Sequence, residues 1–223
     1  MRRAEDVEKA LAISEIFKSI QGETTYAGLP CGFVRTVGCN LRCSYCDTEY
    51  ARTGEGIRLT VPEVHKEVES FRTRVVCVTG GEPLVQADGV VALCDRLLSA
   101  DHTVLLETNG TMDFSPVPDD VVRIMDVKCP GSGESGKTLP GNLAQLRPQD
   151  EVKFVISDRP DFDWAVSFIG RHGLAGGPQL LFSPAYGGLA GRELAAWILD
   201  EPVEVRLQLQ LHRILWPDRD RGV

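Results

Sequence analysis

Three cysteines, Cys39, Cys43 and Cys46, are the residues of this chain whose types and spacing most clearly suit chemistry. Their spacing is C-x3-C-x2-C, and Tyr45 stands directly before the last thiol. Three closely spaced thiolates can hold three irons of a four-iron, four-sulfur cube, which normally takes four cysteine ligands. The fourth iron then has no protein ligand and can bind and reduce a small molecule. The spacing therefore predicts a reactive iron–sulfur centre rather than a structural one.

The remaining cysteines argue against two other uses of the three thiols. They are scattered singly along the chain, at Cys31, Cys77, Cys94 and Cys129. A structural zinc site usually has four protein ligands with paired spacing, and no histidine stands near the trio. A disulfide framework is disfavoured because the total of seven cysteines is odd. The opening Met-Arg-Arg-Ala-Glu-Asp is also not followed by the apolar run of a secretory signal, so we expect a cytoplasmic protein with reduced thiols.

Composition excludes several classes of protein. With 223 residues, 43% hydrophobic and 25% charged, the chain has the make-up of one globular domain. The balance of 24 Lys and Arg against 32 Asp and Glu gives a net charge of −8, and the basic residues are dispersed. A nucleic-acid backbone needs clustered Lys and Arg, and a bilayer needs a long apolar stretch. We therefore expect no nucleic acid or membrane partner, and a single domain over residues 1–223 whose residues 218–223 form a solvated tail.

Short apolar runs alternate with helix-like segments along the chain. The predicted strands cover residues 13–20, 33–37, 75–79, 103–107, 121–127, 152–156, 179–182 and 203–209. A capping box, Thr60-Val61-Pro62-Glu63, with proline at the first helical position, predicts a helix to about Ser70. Further helices are predicted over 89–98, 162–171 and 192–199. Such alternation predicts an α/β fold with a parallel sheet, and too few units are present for a closed eight-stranded barrel, so we expect an open, partial (β/α) barrel.

The unusual residues collect where predicted strands end. Four strands run into the segments Gly80-Gly81-Glu82-Pro83, Thr108-Asn109-Gly110, Lys128-Cys129-Pro130 and Ser183-Pro184-Ala185-Tyr186. In barrel-like α/β folds the active site lies at the C-terminal ends of the strands. The cysteine loop follows the predicted strand 33–37, so we expect it on the same C-terminal rim.

Two polar groups near the amino terminus suit a small polar substrate. Gln21-Gly22-Glu23 offers an amide, a flexible backbone and a carboxylate at a strand end, which match the donor and acceptor edge of a pterin. Arg35 precedes the cysteine loop and offers a planar fork for a substrate carboxylate. An ordinary salt bridge at the rim is the alternative for Arg35.

These motifs together resemble a known family. The cysteine spacing resembles the signature of the radical S-adenosylmethionine superfamily, and Gly80-Gly81-Glu82-Pro83 resembles its glycine-rich motif. A narrower resemblance is carried by Ser-Ile-Gln-Gly-Glu at 19–23, Phe-Val-Arg at 33–35, Gly-Cys-Asn-Leu-Arg-Cys at 38–43 and Cys-Asp-Thr at 46–48. In this order, and with the segments 107–110 and 126–130, they resemble the 7-carboxy-7-deazaguanine synthase family from about residue 13 to Pro217.

The resemblance implies a lyase of queuosine and deazapurine biosynthesis, a pathway that leads to a tRNA modification. In this family the reduced cluster splits S-adenosylmethionine, and the resulting 5′-deoxyadenosyl radical abstracts a hydrogen from 6-carboxy-5,6,7,8-tetrahydropterin. The six-membered ring contracts, ammonia leaves and the product is 7-carboxy-7-deazaguanine. The hydrogen is then returned and S-adenosylmethionine is regenerated.

The resemblance also implies residue roles. Cys39, Cys43 and Cys46 would ligate the 4Fe-4S cluster, and Thr48 would ligate a Mg2+ ion that holds the substrate. The implied contacts of S-adenosylmethionine are Tyr45, Cys46, Asp47, Gly81, Asp126, Val127, Lys128, Ser183, Pro184, Ala185 and Tyr186. The implied substrate contacts are Ile20, Gln21, Gly22, Glu23, Arg35, Thr79, His212 and Pro217. No residue is assigned as a general acid or base.

The same resemblance implies an external one-electron donor such as flavodoxin or ferredoxin, and a homodimer. Two other functions use the same cysteines. A glycyl-radical-enzyme activase would need an open docking surface for a protein substrate, which the converging Gln-Gly-Glu side chains disfavour. An iron–sulfur or zinc-binding interaction module would leave the Gly-Gly-Glu-Pro loop without a role.

Overall fold

One sheet of nine strands organises the residues that this computed structural model describes, which are residues 9–223. The strands are β1 Ala10–Ile20, β2 Pro30–Thr36, β3 Ile57–Thr60, β4 Val75–Gly80, β5 Thr103–Thr108, β6 Val122–Asp126, β7 Glu151–Ile156, β8 Gln179–Pro184 and β9 Arg206–Leu207. Their order across the sheet is β3-β1-β2-β4-β5-β6-β7-β8-β9. Strand β1 pairs antiparallel with β2 and β3, whereas all neighbours from β2 to β9 are parallel.

The sheet is open, since β3 and β9 are its two edges and, within residues 9–223, do not pair with each other. The helices are α1 Glu49–Thr53, α2 Val61–Ser70, α3 Ala87–Leu98, α4 Pro140–Leu143, α5 Arg159–His172, α6 Gly191–Asp200 and α7 Leu211–Leu215. Parallel strands that follow chain order, with helices between them, build an open (β/α) barrel, so the predicted fold class is confirmed. None of these helices has the length and apolar character needed to cross a bilayer. The opening residues that argue against a secretory signal lie outside the described part of the chain.

Helix α2 begins at the predicted capping box. The Thr60 hydroxyl accepts from the Glu63 N–H at 3.4 Å, and the Glu63 carboxylate accepts from the Thr60 N–H at 2.8 Å. The prediction of proline at the first helical position is wrong by one residue, because Val61 takes that place and Pro62 the second. Proline remains compatible there, since the first turn of a helix has no intrahelical partner for its N–H groups.

Both edges of the sheet differ from the sequence prediction. Strand β3 was not predicted; it is short, pairs only with β1 and leaves Ile57 67% exposed, so it lacks the pattern of a buried strand. The predicted strand 203–209 is reduced to the two residues of β9, which pair with Leu181 and Phe182. The chain after β9 instead turns to β1, where the Leu211 N–H donates to the Gly22 carbonyl at 3.0 Å.

The inward-facing residues of the sheet form two layers, because side chains alternate between the faces along each strand. The layer near the N-terminal ends of the parallel strands is apolar and comprises Phe17, Cys31, Phe33, Val75, Cys77, Leu105, Val122 and Ile124. Two residues further along the same faces the side chains become polar, at Arg35, Thr79, Glu107 and Asp126. The interior is therefore plugged at one end and polar at the C-terminal rim, where we expected the site.

Candidate active site

A cavity lies at the C-terminal rim, above the apolar plug. The sequence-predicted residues that line it are Glu23, Arg35, Cys39, Cys43, Tyr45, Cys46, Asp47, Thr48, Thr79, Gly81, Asp126, Lys128 and Tyr186. They come from β2, β4 and β6, from the cysteine loop and from the segments that follow β1, β4, β6 and β8. The fold thus collects most of the predicted site at one place.

The cysteine loop between β2 and α1 is held by the loop that follows β6. The Ser44 N–H donates to the Ser132 carbonyl at 3.0 Å, and the Ser44 hydroxyl donates to the Gly131 carbonyl at 2.7 Å. The Arg42 N–H donates to the Glu134 carboxylate at 2.7 Å. These bonds satisfy backbone N–H groups of the loop and hold in place the part of it that separates the thiols in sequence.

All three thiols line the cavity and are partly exposed. Burial raises the pKa of the Cys39 and Cys43 thiols, and at Cys43 the Lys128 ammonium opposes part of that rise. Metal binding displaces thiol protons, so a bound cluster favours the thiolates. Within the described residues no three His, Cys, Asp or Glu side chains converge closely enough to hold a single metal ion. A four-iron cube does not require that convergence, because each thiolate binds a different iron, so the donor set fits the cluster.

The two glycines after β4 let the backbone pass directly beside the cysteine loop. A Cβ on Gly81 would lie 2.4 Å from the Gly38 carbonyl oxygen and 2.7 Å from the Cys39 Cβ. A Cβ on Gly80 would lie 2.4 Å from the Thr36 hydroxyl. Only glycine fits at this close approach, which leaves the backbone carbonyls of the loop beside the thiols.

The Glu82 carboxylate lies outside the cavity lining. It is fully buried and accepts from the Leu84 N–H at 3.0 Å, the Thr108 hydroxyl at 2.9 Å and the Asn109 N–H at 2.6 Å. These bonds tie the glycine loop to the end of β5. The acceptors that the loop offers to a ligand ammonium group are therefore its backbone carbonyls.

Asp126 and Lys128 form an ion pair beside the thiols, with Lys128 Nζ 2.9 Å from Asp126 Oδ2. Two buried polar atoms in this region, Asp126 Oδ1 and the Tyr45 hydroxyl, have no hydrogen-bond partner in the described part of the protein. Burial raises the pKa of Tyr45, so its hydroxyl is a neutral donor. Buried polar groups without partners are costly, and a polar ligand such as S-adenosylmethionine fits by satisfying them.

Thr48 precedes α1 at its N-cap position, yet its side chain makes no capping hydrogen bond. Its contact is with the Cys46 thiol, at 4.0 Å. The hydroxyl therefore remains available to a ligand in the cavity. Asp47 beside it also lines the cavity, and hydroxyl and carboxylate oxygens are ligand types that suit Mg2+.

A second polar group in the cavity joins residues far apart in sequence. Lys153 Nζ lies 2.6 Å from one Glu23 oxygen, and Gln210 Nε2 donates to the other at 2.8 Å. Lys153 also lies 3.7 Å from Asp126 Oδ2. Burial alone favours neutral Glu23, but the attraction and hydrogen bond of Lys153 outweigh burial and lower the pKa of Glu23. Glu23 is therefore an ionised acceptor.

Arg35 also lines the cavity and is held by Glu15, whose Oε1 lies 2.8 Å from Arg35 Nε. The salt bridge weighed for Arg35 is thus present, and it uses only one edge of the guanidinium. The Thr79 hydroxyl donates to the Glu107 carboxylate at 3.1 Å, and both residues line the cavity.

The other predicted site residues do not line the cavity: Ile20, Gln21, Gly22, Val127, Ser183, Pro184, Ala185, His212 and Pro217. Two of them pack closely together, since a Cβ on Gly22 would lie 2.5 Å from His212 Nδ1. Burial lowers the pKa of His212. Gln21 is buried with its Nε2 unpaired among residues 9–223, and Pro217 is exposed. Of the run 183–186, the exposed Tyr186 alone reaches the cavity.

The polar residues of the cavity that sequence reasoning did not assign include Glu107, Lys153 and Gln210. The first two had a detectable signal, because they sit on strands whose alternate residues are apolar. In β7, Val152, Phe154 and Ile156 face the outer core, which leaves Lys153 on the inner face. Gln210 had no such signal, because it lies in the irregular chain after β9.

The tail after Pro217 contacts the rest of the protein. Residues 218–221 are exposed as expected, but the segment is not free in solvent. The Gly222 N–H donates to Glu15 at 3.2 Å, and the Arg221 guanidinium lies 4.1 Å from the centre of the Tyr50 ring. Arg213 also pairs with Asp220 at 3.0 Å. Opposite charges and an aromatic partner within reach bring the tail onto the protein surface.

Comparisons with known proteins agree with this geometry. Residues 33–129 match the model of the radical SAM superfamily. The chain is 42% identical to a 7-carboxy-7-deazaguanine synthase of Koribacter versatilis, over 96% of this chain and 100% of that protein. It is 43% identical to one of Chlorobaculum tepidum, over 97% and 99% of the two chains. The crystal structure of QueE from Escherichia coli is 19% identical but has the same fold, with a TM-score of 0.73 over 90% of this chain and 94% of that one.

Identities above 40% over whole chains agree with the cysteine spacing, the glycine loop and the polar cavity. The activase and the interaction module are thereby set aside. The chain belongs to the 7-carboxy-7-deazaguanine synthase family of the radical S-adenosylmethionine superfamily.

Proposed function

We propose that the cavity holds a 4Fe-4S cluster and S-adenosylmethionine along the cysteine and glycine loops, and the pterin substrate against Glu23 and Arg35. The protein is a radical S-adenosylmethionine lyase that converts 6-carboxy-5,6,7,8-tetrahydropterin to 7-carboxy-7-deazaguanine with loss of ammonia. One observation carries the proposal. Three thiols open into the same cavity as a buried Glu23–Lys153 pair and an arginine with unused donors, and within the described residues no fourth cysteine lines that cavity.

When bound, the cluster and S-adenosylmethionine supply the radical chemistry of the rearrangement. The protein supplies binding, orientation and exclusion of water. The apolar plug closes the interior below the cavity, and excluding water strengthens the electrostatic contacts above it.

The roles of the residues beside the cysteine loop follow from their free polar atoms. Tyr45 and Asp126 each have a buried polar atom without a hydrogen-bond partner. Lys128 offers a charged donor that fits a carboxylate. The carbonyls beside Gly81 fit an ammonium group. S-Adenosylmethionine presents both groups, so these residues suit it, and Asp47 and Tyr186 complete the lining.

The roles proposed for the substrate contacts follow from charge. Ionised Glu23 accepts only, so it fits the amino and ring N–H donors of a pterin. Arg35 fits the substrate carboxylate because its guanidinium donates two parallel hydrogen bonds. Thr79 lines the cavity with Arg35, and Thr48 would hold Mg2+ near that carboxylate. Lys153 keeps Glu23 charged and in place.

Contacts of Ile20, Gln21, Gly22, His212 and Pro217 with the substrate, and of Val127 and 183–185 with S-adenosylmethionine, stay predictions. So do a cytoplasmic location, a single domain, an external one-electron donor such as flavodoxin or ferredoxin, and a homodimer.

The decisive assay is anaerobic. The protein is reconstituted with iron and sulfide, reduced, and supplied with S-adenosylmethionine, Mg2+ and 6-carboxy-5,6,7,8-tetrahydropterin, and the product is followed by mass. We expect 7-carboxy-7-deazaguanine from the wild type and none from Cys43→Ala, which also loses bound iron. Cys94→Ala is the matched control, because this buried cysteine lies on α3 and does not line the cavity.

Two results would contradict the proposal. Cleavage of S-adenosylmethionine to 5′-deoxyadenosine without formation of 7-carboxy-7-deazaguanine would support the radical class of enzyme but contradict the proposed substrate. A Cys43→Ala protein that retained both its bound iron and product formation would contradict the proposed role of Cys43 as a cluster ligand.

A further inference from the structure

Glu15 is a partly buried carboxylate on β1 that the proposed function leaves without a role. In the register of the sheet it stands directly opposite Arg35. Its Oε1 accepts from Arg35 Nε at 2.8 Å and from the Tyr50 hydroxyl at 2.7 Å. Glu15 does not line the cavity, whereas Arg35 does. Glu15 therefore reaches the site only through Arg35.

This contact fixes one edge of the guanidinium and leaves the other edge open. The Arg35 side chain is 13% exposed, and within residues 9–223 neither Nη atom has a hydrogen-bond partner. The Phe17 ring, 5.8 Å from the guanidinium carbon, limits movement on one side. A planar fork held by Nε points its two Nη groups in a fixed direction, which suits both oxygens of a carboxylate.

The tail completes the arrangement around Glu15. The second oxygen, Oε2, accepts from the Gly222 N–H at 3.2 Å. The Arg221 guanidinium covers the Tyr50 ring at 4.1 Å. Besides Arg35, Glu15 therefore has two partners: Gly222, which belongs to the tail, and Tyr50, which Arg221 of the tail covers.

We propose that Glu15 is a positioning residue that aims Arg35 at the carboxylate of the pterin substrate, and that Arg221 and Gly222 hold Glu15 and Tyr50 in that arrangement. The inference rests on the proposed function, since it takes Arg35 as the partner of that carboxylate. Without Glu15 the long Arg35 side chain gains rotamers, and their loss then opposes substrate binding.

The first test compares Glu15→Gln with the wild type, as reconstituted holoenzymes under anaerobic conditions. We expect KM for 6-carboxy-5,6,7,8-tetrahydropterin to rise about tenfold with kcat within about twofold, the pattern of a lost binding contact. 6-Carboxypterin and pterin, tested as competing ligands, differ only in the carboxylate. Glu15→Gln should weaken the binding of 6-carboxypterin by the same factor and leave the binding of pterin unchanged. A merely structural role would weaken both.

The second test uses a matched pair of tail variants. Arg221→Ala and Arg219→Ala remove the same charge from the same exposed segment, but only Arg221 lies on Tyr50. We expect Arg221→Ala to raise KM about two- to threefold and Arg219→Ala to leave it unchanged, since one partly exposed contact is lost. Equal effects of the two variants would overturn the role of the tail.

Arg35→Ala separates this inference from the proposed function. If Glu15 acts through Arg35, the Glu15→Gln/Arg35→Ala double variant has the KM of Arg35→Ala alone. An unchanged KM in Arg35→Ala would contradict the proposed role of Arg35. A raised KM in Arg35→Ala with an unchanged KM in Glu15→Gln would overturn only the inference. If Glu15→Gln does not fold, Tyr50→Phe, which removes a single hydroxyl from Glu15, is measured against the same two competing ligands.

Discussion

The two sides of the cavity are built in different ways. The cofactor side comprises the cysteine loop, Gly80, Gly81, Asp126 and Lys128, and each part of it is a short continuous segment. The substrate side comprises Glu23, Arg35, Lys153 and Gln210, and its contacts join residues 130 and 187 positions apart. In the proposed function, cluster chemistry is therefore carried by local motifs, whereas substrate recognition depends on the register of the whole sheet.

The physical basis of the two sides differs as well. Steric fit dominates the cofactor side, because backbones approach at distances that exclude a Cβ. Buried charge dominates the substrate side, because Glu23 and Lys153 are both largely removed from water. A buried ion pair is destabilising to break, since one charge is left without a partner.

The largest effect is expected from crowding the cofactor side. Gly81→Ala places a Cβ 2.4 Å from the Gly38 carbonyl oxygen, so the cysteine loop must move. We expect product formation to fall about 100-fold or more, the order of loss that a displacement near 1 Å causes. Bound iron and product are measured together, and both should fall.

Gly141→Ala is the control for this variant, because a Cβ there would have no neighbour within 4 Å. Full iron content and activity in Gly81→Ala would show that steric fit does not hold the cofactor side together.

The next largest effect is expected from removing the Glu23–Lys153 ion pair on the substrate side. Lys153→Met leaves the buried Glu23 carboxylate without its cation, and we expect the free energy of unfolding to fall by about 3–5 kcal/mol. Urea unfolding of the reconstituted protein measures it. The matched control is Lys18→Met, whose exposed side chain donates to the Phe71 carbonyl and should cost about 0.5 kcal/mol or less.

The same variant should acquire a pH dependence. In the wild type the lowered pKa of Glu23 keeps it ionised, so its stabilisation is complete above the ordinary carboxyl pKa and is lost only as pH falls through the lowered one. Without Lys153, burial raises the pKa of Glu23, and protonation begins nearer neutral pH. Substrate affinity of Lys153→Met should therefore weaken as pH falls through neutrality, where that of the wild type stays constant. Parallel profiles would contradict the assignment of Lys153.

The smallest effect is expected away from both sides. Thr60→Ala removes the cap of α2 and should lower the free energy of unfolding by about 1 kcal/mol, with kcat and KM unchanged. Ser70→Ala, at the other end of the same helix, is the control and should change stability by about 0.5 kcal/mol or less. A changed KM in Thr60→Ala would mean that the scaffold and the substrate side are coupled.

The contrast between the two sides also explains what the sequence could predict. The cysteine loop and the glycine loop are recognisable because consecutive residues carry them. The parallel strands were predicted because their apolar runs are buried on both faces. The alternation in β7 marks Lys153 as inward-facing, but its partner Glu23 is 130 positions away, and only the sheet order brings the two together.

The edges of the fold were the least predictable part. Strand β3 pairs with β1 alone, and the tail contacts Glu15, Tyr50 and Arg213. Neither segment has a periodic pattern of its own. The role of Gln210 is similar, since an irregular segment brings it to Glu23. Long-range contacts of irregular chain leave no local signal in a sequence.

We propose that one cavity has a cofactor side and a substrate side. The most direct test is an anaerobic crystal structure of the wild-type protein with cluster, S-adenosylmethionine and 6-carboxy-5,6,7,8-tetrahydropterin, with iron located by its anomalous scattering. We predict iron at Cys39, Cys43 and Cys46, the pterin edge at Glu23 and the substrate carboxylate at Arg35. Iron elsewhere, or a pterin that contacts neither Glu23 nor Arg35, would contradict the account.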